Sequence, residues 1–488
     1  MGQNAEPIVI IIPEQEQKIM EGVRLSSLIS SGAISPNNYE KASKKIITHF
    51  ENNGYPFISV SLDSIFLDRD TVWSTLSIER NNYICFDSII LKGDLKLSQS
   101  YLRAYLGFKK NKPYNESIIK QIPQLLSELP FAMEALPSGV EFVGGSAYLY
   151  LFLNKRRVNQ FDGYLGIVPV NEKNGKVSLS GELNLHLRNI FSIGETLDLQ
   201  WRSTERYSQF LYLHGEFPYL FRTPLGVDGK FTLDKKDTNF INMNYILSLI
   251  YSFKGNNYLK TYFDYTTSHL ISTQAMSLSE NSLFLDYNKA MYGIELRIRK
   301  LDFIYNPKKG YYFLLNGSVG RRNIVKNNAF EESFYDNVDM TTLRYRVLGE
   351  INGYIPLHKK WVLVLGAKGG AIFGKDVVLN ELFRIGGMNF LQGFDDLSIW
   401  ASSYAIGNIE GRFLFSKLGY INAFFNGAWV ERNLTKGYSS DFPFGFGIGI
   451  AFDTKAGLFY LSYALGKQKE NPISFKTGKI HFGLALRF

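Results

Sequence analysis

The chain has 488 residues, too many for one ordinary soluble domain, and it contains no run of about 18 apolar residues that could form a spanning helix. Its 38 Phe, 30 Tyr and 43 Gly residues, set against only 15 Pro, are typical of a β-rich protein with aromatic girdles. The net charge of +9 is not gathered in a basic cluster, so we expect anionic lipids rather than nucleic acid as neighbours, and the single cysteine, Cys85, excludes an intramolecular disulfide.

The first 157 residues are predicted to form two mixed α/β units of similar plan. Apolar residues recur at helical spacing in residues 37–53, and this segment ends at Gly54, a common helix stop. Residues 8–34 match the plan less well, and a plug or a linker helix is an alternative for them. The remaining predicted strands are 55–66, 72–80, 83–91, 140–142 and 148–154, and the remaining helices are 98–107 and 115–129.

After residue 157 the helical period ends, and alternation of period two continues to the last residue. Residues 444–452, for example, place five large apolar side chains on one face and only Gly and Ala on the other. Many such runs are roughly ten to fourteen residues long, which suits a tilted strand that crosses a hydrocarbon core of about 30 Å. Because lipid cannot satisfy the amides of an open edge, these strands must close into a barrel.

The sequence therefore predicts a mainly β fold, with a transmembrane β-barrel of roughly sixteen antiparallel strands over residues 158–488. Its connections alternate between short turns and long polar segments. Short turns belong on the periplasmic side of such barrels, so the N-terminal region is expected in the periplasm of a diderm bacterium. The longest outer loop is predicted at residues 375–401.

This layout resembles the BamA/TamA superfamily of outer-membrane assembly and translocation proteins. The helix that begins at Ser98, the following Gly107 and the segment Lys112-Pro113-Tyr114-Asn115 are similar to a POTRA domain. Residues 305–312 are similar to a periplasmic turn of the family, and Phe488 looks like the end of its C-terminal insertion signal. The resemblance implies POTRA-like domains at residues 1–82 and 83–157, a barrel at 158–488, and the segment 375–401 folded into the lumen.

The most specific match is the loop motif Phe383-Arg384-Ile385-Gly386-Gly387 followed by Leu391-Gln392-Gly393-Phe394. In the family, an arginine at the position of Gln392 meets an acidic residue on the barrel wall, and the corresponding wall position here is Asn426. Our hypothesis is that Gln392 and Asn426 hold the loop through an amide contact of about 1 kcal/mol, weaker than an ion pair. Glu410 could accept a hydrogen bond from Gln392 or Arg384, or could pair with Arg412.

A weak seam is predicted where the first and last strands meet. The first strand carries Gly163, Gly166 and Pro169, and the last carries Gly483 and ends at Phe488. Pro donates no ladder hydrogen bond and Gly weakens pairing. In the resembling family this seam is the proposed lateral gate, where a client strand adds by β-augmentation. The alternative is that these residues are ordinary strand-end irregularities.

Motifs for catalysis, cofactors and metals are absent from the sequence. The glycines of residues 445–449 lack the helix that a dinucleotide site requires, and the six histidines include no i, i+4 pair, so no zinc site is predicted. No Ser-His-Asp arrangement or catalytic pair of carboxylates is supported. We therefore expect a protein that is not an enzyme and needs no cofactor.

The resemblance implies a factor that inserts or translocates outer-membrane proteins. Its partners would be outer-membrane lipids, unfolded outer-membrane or secreted clients, and periplasmic or lipoprotein accessory subunits. One alternative is a two-partner-secretion exporter for a dedicated substrate. Another is a non-transporting barrel subunit of a larger complex, and an enzyme or a passive porin is a more remote one.

Overall fold

The computed structural model describes most of the chain, and two compact units arise from its internal contacts. The first consists of Met1–Leu95, Leu102–Leu126 and Ala132–Asn154, and the second of Lys96–Tyr101, Ser127–Phe131 and Lys155–Phe488. Among the described helices, none is long and apolar enough to cross a lipid bilayer. The described residues are 8–25, 27, 33–68, 71–171, 176–203, 208–236, 239–271, 284–304, 306–330, 332–336, 338–434, 437–454, 457–469, 473 and 475–486.

The first sheet of the N-terminal unit has the order β2-β1-β4-β3, with β1 parallel to β4. Helices α1 and α2 bury Met20, Ala42 and Ile46 against Ile10 and Leu76 of the sheet. The described part of residues 8–34 thus supplies two strands and a helix of this domain, which corrects the alternative of a separate plug or linker. The elements are β1 (Ile8–Ile11), α1 (Glu14–Gly22), β2 (Ala33–Ile34), α2 (Pro36–Glu51), β3 (Ser59–Asp68) and β4 (Thr71–Glu79).

The second sheet repeats this plan with the order β5-β7-β6, in which β5 is parallel to the central β7. Its outer strand β6 is much longer than the predicted residues 140–142. Both faces of its first half are exposed, so no alternation marked that half in the sequence. The elements are β5 (Cys85–Lys92), α3 (Gln99–Leu106), α4 (Glu116–Ser127), β6 (Ala132–Val143) and β7 (Ser146–Lys155).

The second unit contains a closed antiparallel barrel whose described strands run in chain order from β8 to β26, with β26 beside β8. The strands are β8 (Gln160–Asn171), β9 (Lys176–Arg188), β10 (Thr196–Ser203), β11 (Gln209–Phe217), β12 (Leu225–Lys236), β13 (Phe240–Ser252), β14 (Tyr258–Leu270), β15 (Tyr287–Leu301), β16 (Gly310–Ile324), β17 (Thr341–His358), β18 (Trp361–Phe373), β21 (Ser403–Leu414), β22 (Tyr420–Leu434), β23 (Gly437–Asp441), β24 (Phe444–Asp453), β25 (Gly457–Lys467) and β26 (Lys479–Leu486). A separate small hairpin between β18 and β21 consists of β19 (Phe383–Ile385) and β20 (Ile399–Ala401).

The seventeen described barrel strands make sixteen passes, as the sequence predicts. Strands β23 and β24 both pair with β22 and are two halves of one pass, interrupted at Phe442 and Pro443. Because Pro has no N–H to donate to a ladder, the break falls where regular pairing cannot continue.

The barrel wall keeps the predicted alternation. On β16, Leu315 and Val319 are exposed on the outer face, whereas Asn316, Ser318 and Arg322 are buried on the lumen side. Successive side chains of a strand point to opposite faces, so one strand presents apolar groups to lipid and polar groups to the lumen.

Candidate functional site: the lumen loop and its contacts

The segment between β18 and β21 folds into the barrel lumen. It leaves β18 at residue 374, forms the β19–β20 hairpin and returns at residue 402. Its side chains contact lumen-facing residues on β12, β14, β16 and β17. The described contacts of this segment are therefore made inside the barrel lumen.

Glu381 is the charged anchor at the start of this loop. Its Oε2 lies 3.2 Å from Nη1 of Arg322 and 3.1 Å from Nη2 of Arg344, and its Oε1 lies 3.9 Å from Nζ of Lys289. The carboxylate and both guanidinium groups are almost fully buried. Arginine suits this position because its planar fork gives two parallel donors to one carboxylate.

The same two arginines also bind the loop backbone. Arg322 donates from Nη1 to the carbonyl of Asp376 at 2.6 Å, and Arg344 donates to the carbonyls of Lys375 and Asp376 at 2.5 and 2.9 Å. The cations therefore have several acceptors in a site with little water, which offsets part of their desolvation cost. The beginning of the loop is bonded to β16 and β17 through these contacts.

Asn380 extends the attachment to neighbouring strands. Its Nδ2 donates to Oγ of Ser268 on β14 at 2.7 Å and to the carbonyl of Leu285 at 2.8 Å. Tyr287 of β15 donates its hydroxyl to the Asn380 carbonyl at 3.2 Å. Because all these groups are buried, losing any one of them would leave a donor or acceptor without a partner.

Arg384 of the predicted motif binds Asp234 on β12. Its guanidinium also lies over the ring of Trp400 on β20, at 5.6 Å from the ring centroid. Arg384 therefore pairs with Asp234 and not with Glu410. A cation over an indole face contributes about 0.5–1 kcal/mol at a partly exposed site.

An apolar cluster fixes the middle of the loop. Leu391 and Phe394 are buried together with Ile385 and Ile399 of the small hairpin. The wall contributes Tyr404 and Ile406 from β21 and Ala428 and Val430 from β22. The predicted residues Leu391 and Phe394 thus act through packing, in a part of the lumen that is apolar.

The tip of the loop lies directly on the backbone of β24 and β25. Gly393 has a φ of +97°, and a Cβ there would come within 2.8 Å of the Gly466 nitrogen. A Cβ at Gly445 would lie 2.0 Å from the carbonyl oxygen of Gln392. Only glycine permits this approach at either position. Gly386 and Gly387 also have positive φ, and Gly387 forms an isolated bridge with Leu391.

The loop tip is also bonded to the last strand, β26. The N–H of Gly393 donates to Nε2 of His481 at 3.2 Å, and Asp395 forms an ion pair with Lys479 at 2.7 Å. A Cβ at Gly483 would lie 3.4 Å from Cε of Met388. The predicted seam residue Gly483 is therefore covered by the loop.

The other predicted seam residues lie away from the described loop contacts. Gly163 is on β8, where a Cβ would meet the Glu182 carbonyl of β9 at 2.3 Å, and a Cβ at Gly166 would lie 3.8 Å from the Ser180 carbonyl. Pairing of β8 with β9 shifts register between Pro169 and Asn171. Phe488 lies outside the described residues. Strand β26 is the neighbour of β8, and the weakness of this seam stays a prediction.

The expected amide pair is not formed. Oε1 of Gln392 and Oδ1 of Asn426 are both buried without a hydrogen-bond partner, which corrects the hypothesis that these side chains bond to each other. Asn426 instead sits opposite Gly445 in the strand register, beneath the Gln392 backbone. Gln392 stays inside the lumen because backbone contacts and the Leu391 cluster hold it there, not its amide.

Glu410 pairs with Arg412 of the barrel wall and not with Gln392 or Arg384 of the loop. Its oxygens accept from Nε and Nη2 of Arg412 at 2.8 and 3.0 Å, and Asn422 donates to Oε1 at 2.7 Å. The guanidinium of Arg412 lies 4.6 Å from the ring centroid of Tyr420. Every described contact of this pair is with wall or turn residues, so it holds the wall together and not the loop.

Sequence reasoning missed the residues that carry most of the loop's attachment. Strand alternation marks Lys289, Arg322 and Arg344 as facing the lumen, which was the available signal. Their meeting at Glu381 depends on the path of a loop that no periodicity describes. His481 was likewise missed because its partner is a backbone N–H, which a sequence does not mark.

The N-terminal sheets each present an exposed edge strand. On β3, the consecutive residues Ile65, Phe66 and Leu67 are 65%, 52% and 64% exposed, so both faces of this strand are uncovered. On β6, Met133 and Leu136 are exposed in the same way. An exposed apolar edge strand is a template for pairing with another extended segment.

Comparisons with known proteins agree with this architecture. The family model of the Omp85 superfamily domain matches residues 177–488. The chain is similar to the structure of CdiB from Escherichia coli, with 14% identity, 98% of this chain and 89% of that chain covered, and a TM-score of 0.57. The structure of CdiB from Acinetobacter baumannii is 14% identical, with 98% of this chain and 88% of that chain covered and a TM-score of 0.54. The structure of BamA from Haemophilus ducreyi lacking POTRA domains 1–3 is 17% identical, with 97% of each chain covered and a TM-score of 0.48. No curated protein matches the chain in sequence.

Proposed function

The chain belongs to the Omp85 superfamily, and on that premise we propose that it inserts β-barrel clients into the outer membrane or moves them across it. The barrel lies in the outer membrane and the POTRA-like region in the periplasm. The proposal involves no catalysis and no cofactor, because burial of the client's apolar face in lipid supplies the driving force. The observation that carries it is the lumen loop, which is bonded to the last barrel strand.

Client capture is assigned to the exposed edge of β3. An unfolded barrel segment is an extended chain with unpaired amides and alternating apolar side chains, and such a segment pairs with a free sheet edge. Ile65, Phe66 and Leu67 offer apolar contacts on both faces of that edge. The edge strand β6 offers a second site of the same kind.

Opening of the barrel is assigned to β26 and its neighbour β8. The described loop contacts to β26 are one backbone hydrogen bond, one partly exposed ion pair and one glycine contact. These are weaker than the buried ionic anchor at Glu381. We therefore expect the loop tip to separate from β26 before the base of the loop leaves β16 and β17.

A dedicated exporter is the second candidate, supported by two features of this chain. Two domains of the same β-α-α-β-β plan precede the barrel, as the resemblance implies for two-partner-secretion pores. The fold is also similar to that of the two CdiB structures. A non-transporting scaffold is the third, motivated by the neutral Gln392 and Asn426. Accessory periplasmic or lipoprotein subunits are proposed partners in the first case, and the other subunits of a larger outer-membrane complex in the third.

The test combines a variant of β3 with profiling of the outer membrane. Replacing Ile65 and Leu67 by Lys adds charges that block strand addition, so client crosslinking to a photoreactive residue at position 66 should fall at least tenfold. Phe221→Lys, an exposed apolar residue of a barrel turn, is the matched control and should leave crosslinking unchanged.

Depletion of the chain then separates the candidates. General loss of outer-membrane barrels supports insertion, and loss of a single secreted protein supports the exporter. An unchanged outer membrane contradicts both transport functions and leaves the scaffold.

A further inference from the structure

A cluster of histidine and carboxylate groups lies in the lumen near one end of β11, outside the loop site. His214 stands between aspartates of the two adjacent strands. Its Nδ1 is 3.0 Å from Oδ2 of Asp198 on β10, and its Nε2 is 2.7 Å from Oδ2 of Asp228 on β12. Neither aspartate belongs to the loop or the seam.

The surroundings of the two aspartates fix the orientation of the imidazole. Asp198 accepts from Arg188 at 2.8 Å and contacts Nδ1 of His186 at 2.7 Å, so it stays a carboxylate and accepts a hydrogen bond from the N–H at Nδ1 of His214. Oδ1 of Asp228 accepts from Ser248 at 2.8 Å and from Lys260 at 3.3 Å. The other oxygen of Asp228, Oδ2, faces Nε2 of His214.

Two lone pairs cannot face each other at 2.7 Å, so a cation must lie between Nε2 and Oδ2. This cation is either a proton bound to Nε2 or a metal ion bound to both atoms. Glu216 offers a further ligand that only a metal ion would use. It lies two residues from His214 on the same face of β11, and its backbone is paired opposite Asp228.

Glu216 brings a third ligand atom to the same point. Ligand atoms of His214, Glu216 and Asp228 all lie within 4.8 Å of one another. Within the described part of the chain, the Glu216 carboxylate makes no hydrogen bond and no ion pair. Glu216 is partly exposed, so water solvates its carboxylate when His214 carries a proton, whereas a divalent cation would engage all three groups.

We propose that His214, Glu216 and Asp228 bind a divalent transition-metal ion, with Zn²⁺ as the preferred occupant. One imidazole nitrogen and two carboxylate oxygens form a ligand set that Zn²⁺ accepts, with a fourth position open to water. The hydrogen bond from His214 to Asp198 is the outer support that metal-bound histidines usually have. Binding widens the Nε2–Oδ2 separation to roughly 3.3 Å, since each ligand atom sits about 2 Å from the metal.

No histidine pair at helical spacing occurs in the sequence, so no zinc site is predicted from it. Here the ligands come from two neighbouring strands and meet through the register of β11 and β12. The ion would cross-link these strands at the end of the lumen where β11 passes into its turn. The site does not depend on the proposed transport function.

The test uses the full chain purified in detergent and stripped of metal with a chelator. Titration with Co²⁺ should give visible absorption bands that saturate near one ion per chain, and Zn²⁺ should displace it. His214→Gln should abolish binding, Glu216→Gln should weaken it more than tenfold, and Asp198→Asn should weaken it by about 10–100-fold. His358→Gln, on an exposed residue at the end of β17, is the control and should bind as the wild type does.

Folding of each variant is checked by heat-modifiable electrophoretic mobility, so that loss of binding is not confused with loss of the barrel. Zn²⁺ should raise the unfolding temperature of the wild type and not that of Glu216→Gln. Absence of saturable Co²⁺ and Zn²⁺ binding by the wild type overturns the proposal and leaves a protonated His214. Unchanged affinity in Glu216→Gln also overturns it.

Discussion

At the residue scale, Glu381 reverses the polarity that the resemblance implies for the loop. In the resembling family the loop arginine at the position of Gln392 meets a wall carboxylate, whereas here the buried anchor is a loop carboxylate that meets two wall arginines. The loop arginine Arg384, at a different position, pairs with Asp234 of the wall. The positions of Gln392 and Asn426 therefore need not carry charges, because the charged anchor, Glu381, lies eleven positions before Gln392 in the same loop. The physical requirement is one buried, fully bonded ionic contact, and either polarity satisfies it.

Replacing Glu381 by Gln should destabilise the barrel by about 3–5 kcal/mol, because Arg322 and Arg344 would remain buried without a counter-charge. The measurement is the midpoint of denaturant unfolding in micelles, followed by loss of heat-modifiable mobility. Glu332→Gln removes an exposed ion pair with Lys326 and should change stability by less than about 1 kcal/mol. Equal effects of the two variants would contradict the anchor role of Glu381.

At the element scale, the loop joins strands that are far apart around the barrel. Its base is bonded to β14, β16 and β17, and its tip lies on β24, β25 and β26. The tip contacts involve the strand that borders the closing seam. Displacement of the loop tip would therefore free β26, while the buried base would keep the loop attached.

Covalent attachment of the loop tip to β26 should stop transport. In a Cys85→Ser background, Asp395→Cys and Lys479→Cys replace an ion pair of 2.7 Å, so a short bismaleimide can bridge them. Client insertion or export should fall at least tenfold after crosslinking. Each single-cysteine variant treated with the same reagent is the control and should keep its activity. Full transport by the crosslinked chain would show that the tip does not need to leave β26.

At the scale of the whole molecule, the outer face of the barrel is an apolar belt. Tyr292 and Ile294 on β15 and Leu315 and Val319 on β16 are exposed side by side. Such a belt is stable only when lipid covers it, because a soluble protein rarely exposes a contiguous apolar area of this kind. This surface fits the outer-membrane location of the Omp85 superfamily barrel.

A charge placed in this belt tests it. Ile294→Arg should cost about 2–4 kcal/mol in a bilayer, as expected for arginine near the midplane of a barrel's lipid face. The measurement is reversible denaturant unfolding in lipid vesicles. Ile473→Arg, in the connection between β25 and β26, should cost close to nothing. An unchanged free energy of unfolding in the Ile294→Arg variant would mean that this surface does not face hydrocarbon.

The sequence by itself determined the barrel, its sixteen passes and the α/β plan of the N-terminal region. Side-chain alternation over residues 444–452 fixes which face meets lipid, and the helical spacing in residues 37–53 fixes which face of α2 is buried. These are local properties, since each depends on neighbours along the chain. The long strand β6 escaped prediction because residues 133–137 are exposed on both of its faces.

The tertiary structure alone decided how the lumen is filled. The meeting of Glu381 with Arg322 and Arg344, the glycine contacts of the loop tip and the His214 cluster all join residues distant in sequence or on different strands. Their identity depends on strand register and on the path of one long loop. A periodic pattern indicates that a residue faces the lumen, but it carries no information about which residue stands opposite.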